Sequence, residues 1–259
     1  MDYGFYIATS GALAAKHRQD VLSNNLANVE TTGFKPNVVL ARQRVSAREE
    51  DGLNHLPSDA LIERLGAGVL MEPSRISHAQ GRLERTGNDL DIALEGKGFL
   101  AVRDGADTSG DGVRFTRDGR MTIGPERELI LSSTGMPVLD TNNRPIRLAD
   151  DAPVAIDRDG AIRQNGEVVA RLGLYNVPDP DYLPKMGDNL FAVPPNQYQS
   201  REASSARVNQ GFLESSATND IKMMIDIQSA AGDFGTNIAM IRNFDTLMDR
   251  AINRLGRVA

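Results

Sequence analysis

The chain has 259 residues, of which 40% are hydrophobic and 25% are charged, and its formal net charge is −6. This composition is typical of a globular protein, and the acidic balance disfavours a nucleic-acid backbone as the partner. Because the sequence has no cysteine, disulfides and cysteine-ligated metals are excluded. No apolar run approaches the ~18 residues of a membrane span, and the N-terminus lacks the pattern of a cleaved signal peptide. We therefore expect no membrane insertion, and a protein that is either cytoplasmic or exported without a cleaved signal.

The N-terminal segment predicts an amphipathic helix. At ~100° per residue, eight side chains near the N-terminus fall within one arc of ~120°. They are Tyr3, Tyr6, Ile7, Ser10, Leu13, Ala14, His17 and Val21. Asn24, Asn25 and Asn28 continue the arc, although asparagine is a poor helix former. Two interpretations stay open: these amides are solvated at a fraying helix end, or they set the register against a partner helix, as a buried asparagine does in a coiled coil.

A glycine marks the predicted end of this helix. If Gly33 is the left-handed residue that follows the helix, Phe34 and Val29 take the two positions that contact each other in a Schellman motif. Pro36 prevents the helix from continuing. We predict an N-terminal coiled-coil helix over residues 1–32 and an extended connector over residues 33–65.

The C-terminal segment, residues 208–259, predicts a junction followed by a coiled-coil helix. Ten positions follow a heptad pattern, and nine of them are apolar. Position a is assigned to Met224, Ala231, Ile238, Asp245 and Ile252, and position d to Ile227, Phe234, Ile241, Met248 and Leu255. Gly232 and Gly235 weaken the pattern by ~1 kcal/mol each relative to alanine. Because such a helix is marginal alone, we expect it to pair with the N-terminal helix and with neighbouring chains.

Residues 66–207 predict a β-rich outer domain built from short antiparallel strands. Apolar residues alternate with polar ones at Leu90, Ile92 and Leu94. The tripeptide Arg-Asp-Gly occurs three times and Asn165-Gly166 once, which are turn signals. The predicted fold class is therefore mixed: a mainly-β central domain flanked by N- and C-terminal α-helices that pair as a coiled coil.

Candidate catalytic residues are few. His17, His55 and His78 lie in different local settings, and we interpret them as solvated or packed rather than catalytic. Asp89 and Asp91 could serve glycoside hydrolysis as a pair of carboxylates, but their alternation with apolar residues predicts the polar face of a strand. We expect no enzymatic activity, no cofactor and no metal.

One loop resembles a calcium site in its spacing. Asp107, Ser109 and Asp111 stand at the first, third and fifth positions of such a loop, with Gly112 at the sixth and Asp118 at the twelfth. The usual glutamate is missing at the twelfth position, so we interpret the loop as a solvated hairpin tip. Whether the Asp107–Asp111 segment binds an ion stays open.

Four segments of the sequence form a recognisable set: SNNLANVETTGFKP at 23–36, TGNDLDIALEGKGFLAVRDG at 86–105, RFTRDGRMTIG at 114–124 and VNQGFLESSATNDIKMMIDIQ at 208–228. In this order they resemble the bacterial flagellar rod and hook proteins. Together these segments span the chain. The first resembles the N-terminal part of the family's sequences and the last resembles their C-terminal part. The chain departs from the family at Ser216–Thr218 and at Ala230–Gly235. Its length and the RTGNDLDIAL segment are most similar to proximal rod subunits, with distal rod subunits as the alternative.

The resemblance implies a structural subunit of the flagellar basal-body rod, which crosses the periplasm and transmits motor torque. It implies export through the flagellar type III apparatus, and assembly with other rod subunits and with copies of the same chain. The paired terminal helices would form an inner tube with the β-domain outside. The predicted assembly interface consists of Tyr6, Ile7, Leu13, Val21, Asn24, Asn25, Asn28, Gly33, Phe34, Met224, Ile227, Phe234, Ile238, Ile241, Met248, Ile252 and Leu255.

A different class of function is the alternative. The chain could be a secreted binding module or a glycan-active enzyme whose helical tails serve oligomerisation. That hypothesis predicts a deep pocket with perturbed carboxylates inside the β-domain.

Overall fold

The computed structural model describes residues 3–50, 52, 55, 57, 66–105, 112–149 and 152–255. It divides into two compact units. Unit one contains residues 1–27, 37–75 and 219–259, and unit two contains residues 28–36 and 76–218.

The order of elements confirms an N-terminal helix, a β-rich middle and a C-terminal helix. The helices are α1 (Tyr3–Ala27), α2 (Ala47–Glu50), α3 (Pro195–Gln199) and α4 (Asp220–Arg250), with a 3-10 turn at Pro180–Tyr182 and a π-helical turn at Ala251–Leu255. The strands are β1 (Asn37–Gln43), β2 (Val69–Ile76), β3 (Leu83–Arg85), β4 (Ile92–Glu95), β5 (Phe99–Arg103), β6 (Val113–Thr116), β7 (Met121–Ile123), β8 (Leu129–Leu131), β9 (Val154–Ile156), β10 (Ala161–Gln164), β11 (Glu167–Arg171), β12 (Leu174–Asn176), β13 (Lys185–Gly187), β14 (Leu190–Ala192), β15 (Glu202–Ala203), β16 (Arg207–Gln210) and β17 (Phe212–Glu214).

In unit one, α1 and α4 pack side by side in opposite directions. A Cβ atom added to Gly4 would lie 2.3 Å from the Phe244 ring, and one added to Gly11 would lie 2.6 Å from Asn237 Oδ1. The missing side chains therefore let the two helices approach closely. The fully buried side of α1 is correspondingly small, since its buried residues are Ala8, Ala12, Ala15 and Asn25.

The large apolar residues of the predicted N-terminal stripe do not form that buried side. Tyr6 is 60% exposed and Leu13 is 63% exposed, whereas Ile7 and Val21 are half-buried. Hydrophobicity predicts the buried face of a helix poorly here, because it gives glycine and alanine little weight. Close packing of helices instead favours the residues with the smallest side chains.

One side of α4 follows a heptad spacing, and its residues Asn237 and Phe244 lie against Gly11 and Gly4 of α1. It includes Met223, Ile227, Ala230, Phe234, Asn237, Ile241 and Phe244, which are buried or half-buried. The predicted d positions Ile227, Phe234 and Ile241 lie on this face. The other four residues of this side, Met223, Ala230, Asn237 and Phe244, each lie one position before a predicted a position. Two of them, Asn237 and Phe244, fill the spaces beside Gly11 and Gly4.

Helix α4 is continuous through both of its interior glycines. It begins at a capped residue, since the Asn219 side chain accepts a hydrogen bond from the Lys222 N–H. Asp220 in the first turn and Arg250 in the last turn complement the helix dipole. A Cβ atom added to Gly232 or Gly235 would meet nothing within 4 Å.

Strands β1 and β2 form a two-stranded sheet beside α1. The Val69 N–H donates to Ser10 Oγ at 3.2 Å, and a Cβ atom on Gly68 would collide with that hydroxyl at 2.4 Å. Strand β1 thus occupies the start of the predicted extended connector. Much of the remainder of that connector lies outside the described residues.

Unit two contains most of the β-rich middle of the chain. Its largest sheet has six strands in the order β13-β14-β6-β5-β12-β15, and a second has three in the order β11-β10-β9. The registered strand pairs are antiparallel. An aliphatic core includes Leu100, Leu129 and Ile162. A second core is aromatic: Phe99 stacks on Phe115 at 5.9 Å between ring centroids.

The predicted Schellman motif at Gly33 is wrong. Helix α1 ends at Ala27. Gly33 is left-handed, with φ +67°, but its N–H donates to the Glu214 carbonyl oxygen at 2.6 Å, and the Phe34 N–H donates to Thr31. The conformation predicted for Gly33 is therefore present, while the hydrogen bonds that it makes lead to a distant segment instead of back to the helix.

The predicted polar strand face at Asp89 and Asp91 is also wrong. Asp89 and Leu90 lie in a turn before β4, and Asp91 is buried. The Asp91 carboxylate accepts a hydrogen bond from Asn88 Nδ2 at 3.2 Å. It therefore closes the turn instead of facing solvent.

Two glycine-to-alanine substitutions should change stability in opposite directions. Gly33→Ala places a side chain in the left-handed region and 2.4 Å from the Arg117 carbonyl oxygen, so we expect a loss of ~2 kcal/mol or more in the free energy of unfolding. Gly232→Ala adds a side chain in open space within a helix and should add up to ~1 kcal/mol. Urea denaturation measures both, and equal effects of the two variants would contradict the assigned backbone conformations.

Candidate functional site

Three charged side chains form a buried cluster in unit two. The cluster consists of Lys35, Arg117 and Glu214, one from each of the segments 23–36, 114–124 and 208–228. Each of the three is at most 5% exposed. Lys35 Nζ donates to Glu214 Oε1 at 2.6 Å, and Arg117 donates to Glu214 Oε2 at 3.2 Å. One carboxylate is therefore shared by two cations.

Backbone groups satisfy most of the remaining hydrogen-bonding capacity of this cluster. Glu214 Oε1 also accepts the Gly81 N–H at 2.9 Å. Lys35 Nζ donates to the Ala79 carbonyl at 2.8 Å, and Arg117 donates to the Gly96 carbonyl at 2.7 Å. These carbonyl groups offset part of the excess positive charge, which a buried site tolerates poorly.

Burial and pairing act on the two cations in opposite directions. Burial lowers the pKa of Lys35 and that of Arg117, because it disfavours the charged forms, and the nearby Glu214 carboxylate opposes the shift in both. Glu214 therefore makes two buried positive charges tolerable. Its removal would leave both without a counter-ion.

A second set of contacts holds residues 28–36 against the strands of unit two. Lys185 Nζ lies 4.4 Å from the centroid of the Phe34 ring and donates to the Lys35 carbonyl oxygen. Asn189 donates to the Thr32 carbonyl. Burial lowers the pKa of Lys185 to about 8. The segment that follows α1 is thus fixed at several points along its length.

The three asparagines predicted to set the register of a partner helix have different surroundings. Asn25 is buried and makes two hydrogen bonds with the backbone of Asn37, donating to its carbonyl at 2.8 Å and accepting from its N–H at 2.9 Å. Asn28 Oδ1 accepts from the Thr31 hydroxyl at 3.2 Å, and Asn24 is exposed. The Asn25 amide therefore joins α1 to β1. The role of Asn24 and Asn28 in register stays a prediction.

The two long helices of unit one, α1 and α4, expose large apolar side chains. On α1 and α4 these include Phe5, Tyr6, Leu13, Ile221, Met224, Ile225, Met240, Leu247 and Met248, and Ile252 continues the series in the π-helical turn. Of the other predicted interface residues, Ile238 is half-buried, Gly33 and Phe34 are buried with contacts inside unit two, and the Leu255 side chain lies outside the described residues. Large exposed apolar patches commonly mark interaction sites.

Among the described residues, the histidines do not form a catalytic arrangement with one another. His78 packs edge-on against Phe99 at 5.4 Å, and its Nε2 lies 2.9 Å from the Pro180 carbonyl oxygen. Burial lowers the pKa of this imidazole. His17 and His55 are exposed. Within the described ranges, no group of three or more acidic or histidine side chains could hold a metal ion.

The predicted calcium loop falls mostly on residues 106–111, which lie outside the described residues. Asp118, its twelfth position, is buried and both carboxylate oxygens bind Arg120, the closer contact at 2.8 Å. None of the helices with described residues has the length and apolarity needed to cross a membrane.

Unit one also contains an open groove with a volume of about 510 Å³. It lies beside α1 and the β1–β2 sheet, lined by Ile7, Ala41, Arg42, Gln43, Gly66, Gly68 and Val69. The lining carries one ionisable side chain, that of Arg42, and therefore lacks a pair of acid and base groups.

Helical chain ends with exposed apolar faces, joined to a β-rich unit, are typical of a structural subunit that associates with other chains. Residues 5–35 match the family described as flagella basal body rod proteins. The flagellar basal-body rod protein FlgF of Caulobacter vibrioides is 31% identical over 264 residues, which cover 100% of both chains. FlgF of Rhizobium meliloti is 32% identical over 99% of both chains. FlgG of Bacillus subtilis is 26% identical over 96% of this chain and 97% of its own.

The chain belongs to the family of flagellar basal-body rod proteins. It is a structural subunit of the rod, located in the flagellar basal body, and it serves motility. The resemblance inferred from the four sequence segments is confirmed at the level of the family.

Sequence reasoning missed the buried cluster, although all three of its residues lie in the quoted segments. The available signal was a charged residue next to apolar or turn residues in each segment, namely Lys35 after Phe34, Arg117 after Thr116 and Glu214 after Leu213. A single sequence does not show that these three positions meet, because 179 residues separate Lys35 from Glu214.

Neutralising the shared carboxylate should destabilise the protein strongly. Glu214→Gln keeps the shape of the side chain but leaves two buried cations unpaired, so we expect a loss of ~3–5 kcal/mol in the free energy of unfolding. The matched control is Glu126→Gln, because Glu126 is 76% exposed and pairs with Arg147 at 3.2 Å on the surface. It should cost less than ~1 kcal/mol. Chemical denaturation measures both, and a Glu214→Gln loss as small as the control would contradict the role of the cluster.

Lys185 should make stability depend on pH. Between its folded pKa of about 8 and the ordinary value of 10.5, the unfolded chain binds the proton that the folded chain has released. The stability contributed by this group therefore increases as the pH rises through that window, by at most ~1.4 kcal/mol per pH unit. Lys185→Met removes this contribution. Urea midpoints measured from about pH 7.5 to about pH 9.5 should rise more steeply, or fall less steeply, for the parent chain than for the variant. Identical slopes would contradict the assignment.

Proposed function

We propose that the chain polymerises through its terminal helices into the helical tube of the rod, where it transmits motor torque. The observation that carries this proposal is the exposure of large apolar side chains along both helices, such as Leu13 on α1 and Met224 on α4, while α1 packs against α4 through small residues. An apolar helical face without a covering partner favours association with further helices. A contact between unlike surfaces that does not close on itself gives a filament instead of a ring.

The finer assignments rest on this arrangement and on the relatives. We propose that α1 and α4 pair as a coiled coil, that these paired helices form the inner tube, and that the β-rich domain, predicted over residues 66–207, lies outside it. The identities to FlgF proteins support the proximal part of the rod, where the rod crosses the periplasm. The proposed partners are copies of this chain and other rod and hook-basal body proteins, with the flagellar type III export apparatus as the route of delivery. The protein acts structurally and without catalysis.

Polar substitutions on the exposed helical face should abolish assembly without unfolding the subunit. Met224 and Ile225 are about 60% and 61% exposed, so Met224→Gln with Ile225→Gln should change the free energy of unfolding by less than ~0.5 kcal/mol. Glutamine also has nearly the helix propensity of methionine. We expect cells that carry the double variant to lose swimming and to lack the subunit in purified basal bodies.

The matched control lies on the β-rich unit. Val168 is 53% exposed on β11, and Val168→Thr replaces a methyl group by a hydroxyl at a similar exposure without touching the helices. This variant should swim and enter basal bodies normally. Normal swimming and incorporation of the helix double variant would show that these faces do not carry assembly.

A further inference from the structure

The groove beside α1 in unit one is built from segments that are fixed to one another. The Val69 N–H donates to Ser10 Oγ at 3.2 Å, which holds the start of β2 on α1. The Arg44 N–H donates to the Gly68 carbonyl oxygen at 3.0 Å, which holds the end of β1 beside β2. The shape of the groove is therefore set by the fold of the subunit itself.

The lining of this groove is mainly apolar and carries one cation. Ile7, Ala41 and Val69 supply apolar surface, and Arg42 supplies a positive charge. Arg42 Nε lies 3.7 Å from Glu72 Oε1, and both side chains are accessible to solvent. Because ion pairs at the surface contribute little to stability, Arg42 can exchange this partner for another carboxylate at little cost.

The first turns of α4 carry an apolar stripe that suits such a groove. Ile221, Met224 and Ile225 are each at least 60% exposed. Their spacing places them on one face of the helix, and the exposed Gln228 continues that face. Amphipathic helices bind apolar grooves through anchors with this spacing.

The charges beside this stripe favour one orientation in the groove. At about 100° per residue, Asp220 lies on one flank of the stripe and Lys222 on the other. Docking with the Asp220 flank towards Arg42 brings opposite charges together, whereas the reverse orientation brings two cations together. The stripe and the groove therefore match in apolar surface and in charge.

The stripe lies too far from the groove of its own chain to enter it. The antiparallel register in which Phe244 meets Gly4 places Met224 opposite Asn24. Asn24 lies 17 residues beyond Ile7 on α1, which is about 25 Å along the helix. Ile7 lines the groove. A groove that the stripe fills therefore belongs to another copy of the chain.

We propose that the groove of one subunit receives the first turns of α4 from a second copy of this chain. Ile221, Met224 and Ile225 contact the apolar lining, and Asp220 pairs with Arg42. The inference rests on the assembly proposed above and assigns one contact within it. Because the stripe and the groove are different surfaces, the contact can repeat from copy to copy without closing into a dimer.

Cross-linking of single-cysteine variants tests this contact, because the chain has no cysteine of its own. Ala41→Cys places a thiol in the groove, and Gln228→Cys places one on the stripe without removing an apolar anchor. Both positions are exposed. The two purified full-length variants are mixed and treated with a short bismaleimide, and covalent dimers are measured on a denaturing gel. We expect the mixture to give at least about fivefold more dimer than either variant alone at the same total concentration.

Two further variants show which part of the chain fills the groove. Thr246→Cys places the thiol beside Leu247 in the C-terminal half of α4, and Val168→Cys places it on β11, and both positions are exposed. Each variant is mixed with Ala41→Cys. The proposal is overturned if Thr246→Cys gives as much dimer as Gln228→Cys, or if Gln228→Cys gives no more than Val168→Cys.

Charge reversal tests the pairing of Arg42 with Asp220. Arg42→Glu in the Ala41→Cys chain, or Asp220→Lys in the Gln228→Cys chain, should lower the dimer yield about threefold at low salt, because like charges then meet. Combining the two reversed chains should restore the yield. Circular dichroism checks that each variant is folded. A yield that stays low in the combined mixture overturns the assigned orientation.

These measurements separate the contact from the assembly on which it rests. If cells with Met224→Gln and Ile225→Gln fail to swim while no cross-link forms between the two cysteine positions, the helices assemble through another surface and only this inference is overturned. If that double variant swims normally, the assembly proposed above is overturned together with this contact.

Discussion

The organisation of the β-rich unit depends on one buried carboxylate shared by two cations. Glu214 lies at the end of the last strand, Arg117 in the middle of the unit and Lys35 in the segment that follows the first helix. The three side chains meet away from water, so burying the charge of any one of them without its partners is strongly unfavourable. A buried ionic cluster of this kind contributes little net stability compared with apolar packing, but it penalises every arrangement in which one member is missing. It therefore specifies which three segments come together.

In the packing of the two long helices of unit one, small residues of α1 lie against larger residues of α4. Glycine and alanine on α1 allow a close approach to α4, where Asn237 and Phe244 fill the spaces left by Gly11 and Gly4. Because α1 packs through its smallest side chains, its large side chains Tyr6 and Leu13 are left on the outside. The same sequence thus satisfies two requirements, since an internal partner uses one face and a second partner can use another.

Local patterns predicted the elements better than they predicted the contacts. The heptad spacing of α4 and the left-handed conformation of Gly33 could be predicted, because periodicity and glycine conformation are local properties of the chain. The residues of α4 at these positions differ from the predicted a positions by one residue, because the shape of α1 at Gly4 and Gly11 decides which side chains fit. Hydrophobicity alone does not describe that shape.

The buried cluster and the hydrogen bond from Gly33 to Glu214 could not be predicted for a related reason. Both join residues far apart in sequence, and a single sequence carries no signal for which charged residue meets which. Contacts with residues later in the chain also explain Asn25 near the end of α1 and Gly33 after it. Asn25 binds the backbone of the returning strand, and Gly33 turns the chain towards Glu214.

These contacts also tie together the two places where the chain passes between α1 or α4 and the β-rich unit. The Gly33 N–H binds the Glu214 carbonyl at 2.6 Å, and the Ala217 N–H lies 3.4 Å from the Phe34 carbonyl. Residues 28–36 continue directly from α1, and residues 215–218 lead directly into α4. A force applied to either helix along the backbone therefore reaches a pair of segments that are bonded to each other and anchored on a buried carboxylate. Gly33 and the Glu214 side chain are buried, so this end of the contact is kept from water, and pulling Glu214 away would separate buried charges. This is the property that a subunit needs if it transmits torque through its helical ends without losing the fold of the unit between them.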